Sequence, residues 1–210
     1  MLILFDVDGT LVDSQAHIHA AMTIAFEGQG LEPPGRPEVL SIIGLSLPEA
    51  FTQIAPAHDV PVLVEAYKEA FAATRATAGS PESSPLYPGA RDCLERLRSQ
   101  GRTMGIATGK SRRGLAAVLE THDLGGFFET RQVADDHPSK PHPSMIEAAL
   151  AETVQRTGLM LGDTTYDMEM ARAAGVRAVG VAWGYHAPSR LLAAGADTVI
   201  DDFAELEGLL

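Results

Sequence analysis

MLILFDVDGT, residues 1–10, opens with an apolar run from Leu2 to Val7 that has the length of a buried β-strand, then delivers two aspartates and a Gly-Thr pair. Side chains on a strand alternate with a period of two, so Asp6 and Asp8 are expected on one face while Val7 points into the opposite packing layer. Two carboxylates then converge where the strand ends. Gly9 and Thr10 turn the chain away, and in parallel sheets ligands bind outside the carboxyl ends of the strands. Taken alone, such an aspartate serves equally well as the cap of a following helix.

Working outward, the chain from Ala90 onward alternates amphipathic helices with short apolar strands. Ala90, Cys93, Leu94 and Leu97 make one helical stripe, closed by Gly101 in the position of a C-terminal cap. A strand is expected over Thr103 to Ala107. Ser111 then caps a helix with Leu115, Val118 and Leu119 inward, and a weaker strand pattern covers Arg131 to Ala134. Pro143 starts the next helix, with Met145, Ile146, Ala149 and Leu150 on its inner face, before a strand at Leu159 to Leu161. A helix from Tyr166 to Ala174 ends at Gly175. Strand Val176 to Ala182, helix Ser189 to Ala194 and strand Thr198 to Ile200 complete the series. Strands so apolar and uninterrupted suit a parallel sheet covered on both faces.

One interval breaks this rhythm. About 80 residues separate the first strand from the helix at Ala90, several times what a βαβ crossover needs. Ile18, Met22 and Ala25 have helical spacing there, Ser46 and Glu49 have the form of a capping box before Phe51 and Ile54, and Val62, Leu63, Ala66, Tyr67, Ala70 and Phe71 make an amphipathic stripe. With no strand alternation, the interval reads as a small helical cap inserted at residues 14–83, leaving residues 1–13 and 84–210 as the core. The Pro- and Ser-rich segment Ala78 to Pro88 reads as the return linker.

Bulk properties narrow the function. A chain of 210 residues with 45% hydrophobic content builds a full core. A net charge of -12 with 16 Lys and Arg disfavours nucleic acid as a partner and leaves room for a small anionic substrate where positive charge is concentrated at one point. The single cysteine, Cys93, forms no intramolecular disulfide and fits a reducing cytoplasm, with its spacing placing it in the core. The N-terminus carries no basic leader, and its apolar run is too short to span a membrane, so a cytoplasmic protein is expected. Nothing in the sequence specifies an oligomeric state.

GDTTYD, residues 162–167, repeats the arrangement of the first strand: Leu159 to Leu161 bury, Asp163 emerges at the strand's end, and Asp167 follows near the start of a helix. Capping explains each carboxylate poorly once two strands aim pairs of them at one place. Clustered carboxylates repel unless a hard cation sits among them, and oxygen-only ligands suit Mg²⁺.

With Asp6-Val7-Asp8-Gly9-Thr10, Thr108-Gly109-Lys110, Lys140 before Pro141, and Gly162-Asp163 with Asp167 in this order, the chain resembles the haloacid dehalogenase-like hydrolase superfamily, within it the phosphoglycolate-phosphatase-like subgroup. The resemblance covers nearly the whole chain. It implies an α/β Rossmann-like three-layer core with a parallel sheet and an α-helical cap, and Mg²⁺-dependent hydrolysis of a small phosphomonoester, a phosphorylated metabolite similar to phosphoglycolate. Asp6 would be the nucleophile that forms an aspartyl-phosphate, and Asp8 the acid and base for the leaving group and the water. Asp6, the Asp8 backbone carbonyl, Asp163 and Asp167 would hold the metal. Thr108 and Gly109 would bind phosphate oxygens, and Lys140 would balance the carboxylates and the transferring phosphoryl group. Some members carry Asn at the place of Gly109. An acid at Asp8 favours phosphate esters over carbon–halogen or carbon–phosphorus bonds. A β-phosphoglucomutase-type mutase and a pyrophosphatase remain open on the same core, as does a binding or regulatory protein without turnover.

Other residues are marked less strongly. Arg112 and Arg113 begin a helix and either recruit substrate or form a solvated face. His17 and His19 lie two apart on a helix and do not face each other, and His142 sits in the loop beside Lys140. Trp183 to His186 follow a strand and stand either as a wall of the site or as packing. In the cap, Leu45 to Pro48, Lys68 and Arg75 are candidates to contact a leaving group, and no pattern selects among them.

Overall fold

The structure, a computed structural model, describes residues 1–78 and 84–210, with residues 75–78 as backbone. Part of the expected linker, residues 79–83, and the side chain of Arg75 lie outside the described residues. Six parallel strands, β1 (Leu2–Phe5), β2 (Thr103–Thr108), β3 (Thr130–Val133), β4 (Gly158–Gly162), β5 (Arg177–Val181) and β6 (Thr198–Ile200), form a sheet in the order β3-β2-β1-β4-β5-β6. The chain builds outward from β1 to β3, then returns to the other side of β1 for β4. That reversal opens a crevice at the carboxyl ends of β1, β2 and β4.

Alternation along the strands separates two cores. Ile3, Phe5, Leu159 and Leu161 pack on one face against α5 (Ala90–Ser99), α6 (Arg112–Thr121) and a terminal 3-10 helix, Phe203–Leu209. Leu2, Leu4 and Met160 pack on the other against α7 (Ser144–Glu152), α8 (Thr165–Ala173) and α9 (Pro188–Ala193). The result is a three-layer α/β core. Cys93 lies within the first layer, where burial pushes its thiol up to about 11. Ser111 caps α6 by accepting from Gly114 N, as its position suggested. The 3-10 helix was not expected. Phe203 and Leu206, three apart, are its only buried side chains, too few for a helical stripe to show.

Between β1 and α5, four helices pack around a hydrophobic cluster of their own: α1 (Gln15–Gly28), α2 (Arg36–Ile42), α3 (Leu47–Ile54) and α4 (Val60–Ala78). Ile18, Met22, Phe51 and Tyr67 are among its members, which explains the amphipathic stripes. Helix α2 went unread because seven residues with a proline inside and only Val39 and Ile42 buried give no periodicity. The capping box expected at Ser46 is absent: its side chain makes no cap hydrogen bond, and its backbone N–H donates to Ser139 Oγ in the core at 2.8 Å. A capping box instead joins Thr164 and Asp167 at α8. Among the described residues, no helix is long and apolar enough to cross a membrane.

Candidate active site

Strand register brings the motifs together. Phe5 pairs with Ile106 on one side and Leu161 on the other, so Asp6, Thr108 and Asp163 follow at the ends of three adjacent strands. Strand β1 is shorter than the apolar run suggested. Asp6 still donates its N–H to Leu161 O at 2.9 Å, but Leu11 and Val12 donate theirs to Val7 O, folding the chain back on itself. Asp6 and Asp8 therefore lie just beyond the strand, Asp8 bridged to Val12, and both still line one cavity while Val7 packs into the core.

The surroundings of the two aspartates differ. Asp6 is buried, its Oδ1 accepts from Lys140 Nζ at 2.7 Å, and its Oδ2 has no hydrogen-bond partner. Burial, with the charges of Asp167 and Asp8 adding and Lys140 opposing, raises its carboxyl to about 7. Asp8 turns its Oδ1 to the hydroxyl of Ser14, a very short contact, and to Lys110 Nζ at 2.9 Å. Tyr185 completes that group, its hydroxyl accepting from Ser14 N at 3.2 Å.

Just past β4, the Asp163 carboxylate accepts two hydrogen bonds and is closely approached by Gly9. Thr10 Oγ1 donates to its Oδ1 at 3.2 Å and Tyr185 N to its Oδ2 at 2.9 Å. Gly9 has φ +84°, and a Cβ on it would stand 2.1 Å from Asp163 Oδ2, so both conformation and space require glycine there. Asp167, in the first turn of α8, accepts from Thr164 N at 3.0 Å and Thr164 Oγ1 at 2.7 Å through Oδ2, and from Lys140 Nζ at 2.6 Å through Oδ1. The capping and charge-cluster readings of Asp167 thus both hold, one on each oxygen.

Lys140, expected in a loop, is 1% exposed, its ammonium bridging Asp6 and Asp167. Burial alone would lower its pKa, but the two carboxylates overcome this and hold it above the usual lysine range. Asp163 receives no such cation, and burial with the charges of Asp6 and Asp167 raises it well above the carboxylate range.

These observations test the fit of a divalent ion. Oxygens of Asp6, Asp163 and Asp167 lie within 4.8 Å of one another, all buried. Three carboxylates, one buried cation and an unpartnered Asp6 Oδ2 leave a deficit of positive charge in an all-oxygen site, the donor chemistry of Mg²⁺. The carboxylate of Asp8 is outside this group.

Thr108 is buried at the end of β2, its Oγ1 accepting from Lys110 N at 3.2 Å. Gly109 follows directly beneath the cap: a Cβ there would lie 2.5 Å from Gly44 O and 2.7 Å from Leu45 O. No side chain fits at this position with the cap so placed, which accounts for the glycine. Two further bonds tie cap to core, Tyr166 Oη to Ser41 O at 2.9 Å and the Ser46 to Ser139 bond.

Of the less marked residues, His17, Lys68, Leu45, Leu47 and Arg113 line a cavity of about 950 Å³ that opens from Asp6, Asp8 and Thr108 toward the cap. Arg112 pairs with Asp136 at the surface, and His142 is exposed. Trp183 packs on Phe203 with centroids 4.6 Å apart, while Tyr185 reaches Asp163 and Ser14. Ser14 and Lys110 were missed as partners of Asp8. Lys110 stood in the Thr108-Gly109-Lys110 run and Ser14 at the start of a helix, but only the fold shows that both reach one carboxylate.

Comparison with known proteins agrees with this geometry. Residues 3–181 match the family model described as haloacid dehalogenase-like hydrolase. "Probable phosphatase IndB" of Dickeya dadantii is 36% identical over 215 residues, covering 99% of this chain and 92% of that protein. The phosphoglycolate phosphatase of Pseudomonas putida is 32% identical, covering 98% of this chain and 78% of that one. Among solved structures, a hydrolase from Pseudomonas syringae superposes with TM-score 0.87 at 25% identity, covering 100% of this chain and 97% of the other. A haloacid dehalogenase-like family hydrolase from Streptococcus pneumoniae gives 0.86 at 26%, covering 99% and 97%. With its parallel core, helical cap and strand-end aspartates, the chain belongs to the haloacid dehalogenase-like hydrolases.

Proposed function

We propose that this protein hydrolyses a small phosphomonoester, a phosphorylated metabolite, by a Mg²⁺-dependent route through an aspartyl-phosphate on Asp6. The observation that carries this reading is Asp6 itself: a buried carboxylate with one oxygen on Lys140 and the other unpartnered, facing Asp163 and Asp167. Asp6, Asp163 and the backbone carbonyl of Asp8 would hold the ion, with Asp167 supporting it and fixed by Thr164 and Lys140. Bound there, Mg²⁺ neutralises the repulsion between a carboxylate nucleophile and an anionic phosphate.

Residues of the chain carry the remaining chemistry. Asp6 attacks phosphorus, the ester bond breaks, and the departing alkoxide takes a proton from Asp8. Asp8 then removes a proton from the water that cleaves the acyl phosphate, returning Asp6 and releasing phosphate. Ser14 and Lys110 orient the Asp8 carboxylate for both transfers. Thr108, through its hydroxyl, and Gly109, through its backbone N–H, bind non-bridging phosphate oxygens, while Lys140 offsets charge on the transferring group. Residues 1–13 and 84–210 form the catalytic core. Residues 14–83 form the cap that covers the leaving group and excludes water.

Phosphoglycolate, the substrate in the relatives' names, is the reference ester for a phosphate-release assay. Asp6→Asn is expected to abolish release from every ester while leaving the circular dichroism spectrum and the melting temperature near those of the parent. Turnover by Asp6→Asn would remove the nucleophile assignment.

A further inference from the structure

We infer that the leaving group is an apolar alcohol several carbons long, not a short carboxylate such as glycolate. The inference rests on the phosphomonoesterase reading and concerns the part of the cavity beyond the phosphate site. Two features of the cavity carry it, its size and the chemistry of its cap-side wall.

At about 950 Å³ the cavity has the dimensions of sites that enclose drug-sized ligands, far more than phosphate and two carbons fill. The cap faces it with Ile18, Met22, Ile43, Leu47, Tyr67 and Phe71. These side chains are fixed by one another. Tyr67 meets Phe71 at 5.7 Å between centroids and Phe51 edge-on at 6.0 Å, and the His17 ring stacks on Phe71 at 4.1 Å and 8°. The wall is preformed, so an apolar ligand displaces water from it without ordering the protein first.

A carboxylate taken out of water needs a cation or several donors. The glycolate carboxylate lies one carbon beyond the ester carbon, close to Asp8 and Thr108. The lysines there are committed: Lys140 to Asp6 and Asp167, and Lys110 to Asp8, with its ammonium 5.3 Å from the Phe71 ring centroid. Lys68 of the cap also lines the cavity but pairs with Glu65 at the surface, its side chain 48% exposed. What the cap brings nearest to Gly109 is a pair of carbonyl oxygens, Gly44 O and Leu45 O, which repel an anion. Arg113 also lines the cavity, from the exposed first turn of α6, a place suited to a polar group at the far end of a longer alcohol.

The test uses ethyl, butyl and hexyl phosphate beside 2-phosphoglycolate. The three alkyl esters share leaving groups of nearly equal basicity, so differences among them report the wall. Two readouts are taken with Mg²⁺ present: kcat/KM of the parent protein, and calorimetric affinity of Asp6→Asn, which needs no turnover. Both are expected to rise about two- to fourfold per buried methylene, with phosphoglycolate below butyl phosphate. A flat alkyl series, or phosphoglycolate turned over or bound best, overturns the inference while leaving the phosphatase reading in place. Length-graded affinity without turnover of any ester removes the phosphatase reading and, with no leaving group, overturns the inference too, leaving only an apolar binding wall. Flat affinity without turnover removes both.

Discussion

The strand ends and the cap meet at one cavity but are built on opposite principles. At the strand ends nearly every polar atom is engaged: Asp167 accepts three hydrogen bonds, Asp163 two, and Lys140 bridges two carboxylates with its side chain fully buried. Asp6 Oδ2 is an exception within the acidic cluster. The cap holds its shape by apolar and aromatic packing around Phe51 and Tyr67, and it touches the core through few hydrogen bonds. A buried polar network fixes atoms to fractions of an ångström, because each unsatisfied group is costly. Packing fixes volume and shape and tolerates exchange among apolar residues. On the proposed function, chemistry resides in the first region and selection of the leaving group in the second.

The sharpest way to break this contrast is to unbalance the strand ends. Lys140→Met leaves Asp6 and Asp167 buried without their cation, so phosphate release should disappear and the metal-free protein should lose about 3–5 kcal/mol of stability. Activity and urea unfolding together check this, and an active, equally stable variant would show that the network is ornamental.

The next effect concerns protons and the metal. Asp6 is raised from 3.8 to about 7, first by burial, so the folded metal-free protein retains a proton that the unfolded chain releases across that range. A raised carboxyl stabilises the fold relative to the charged state at low pH, and that contribution is lost as pH climbs from about 4 to about 7. Mg²⁺ must displace the same proton below about 7, where its affinity should fall about tenfold per pH unit. The rise in melting temperature on adding Mg²⁺ should accordingly be larger at pH 8 than at pH 6, and an equal rise at both would contradict the assignment.

Smaller changes probe the two regions separately. Ser14→Ala removes a donor to the Asp8 carboxylate, and a hydrogen bond to a charged group is worth roughly 1.5 kcal/mol, so kcat should fall about tenfold with KM nearly unchanged. Tyr166→Phe removes only the bond to Ser41 O that joins core and cap. A loss of about 1 kcal/mol in stability is expected, with KM rising more than kcat falls. A kcat effect as large as that of Ser14→Ala would mean that the cap takes part in the chemistry.

The same contrast governs what could be read from the chain. Short uninterrupted apolar runs placed β1, β2 and β4, and aspartates at strand ends named the acidic cluster, because both are local patterns with one spatial meaning. The pairing of Lys140 with Asp6 and Asp167 was anticipated only as charge balance, since a lysine between prolines carries no mark of burial. Ser14 and Lys110 stayed hidden as partners of Asp8 because three separate elements meet there and no spacing records it. In the cap, the long stripes of α1 and α4 were legible. Helix α2 and the approach of Gly44 to Gly109 were not, the first because seven residues with a proline inside show no periodicity and the second because it is a contact between regions far apart in sequence.

The claim on which all this turns is that Asp6 carries the phosphoryl group. Acid quenching during turnover of the best ester, followed by peptide mass spectrometry, tests it most directly. Phosphate attached to Asp6 in the quenched protein, and absent from Asp6→Asn, is the predicted result. Steady turnover with phosphate on another side chain, or with undiminished release by Asp6→Asn, would contradict it.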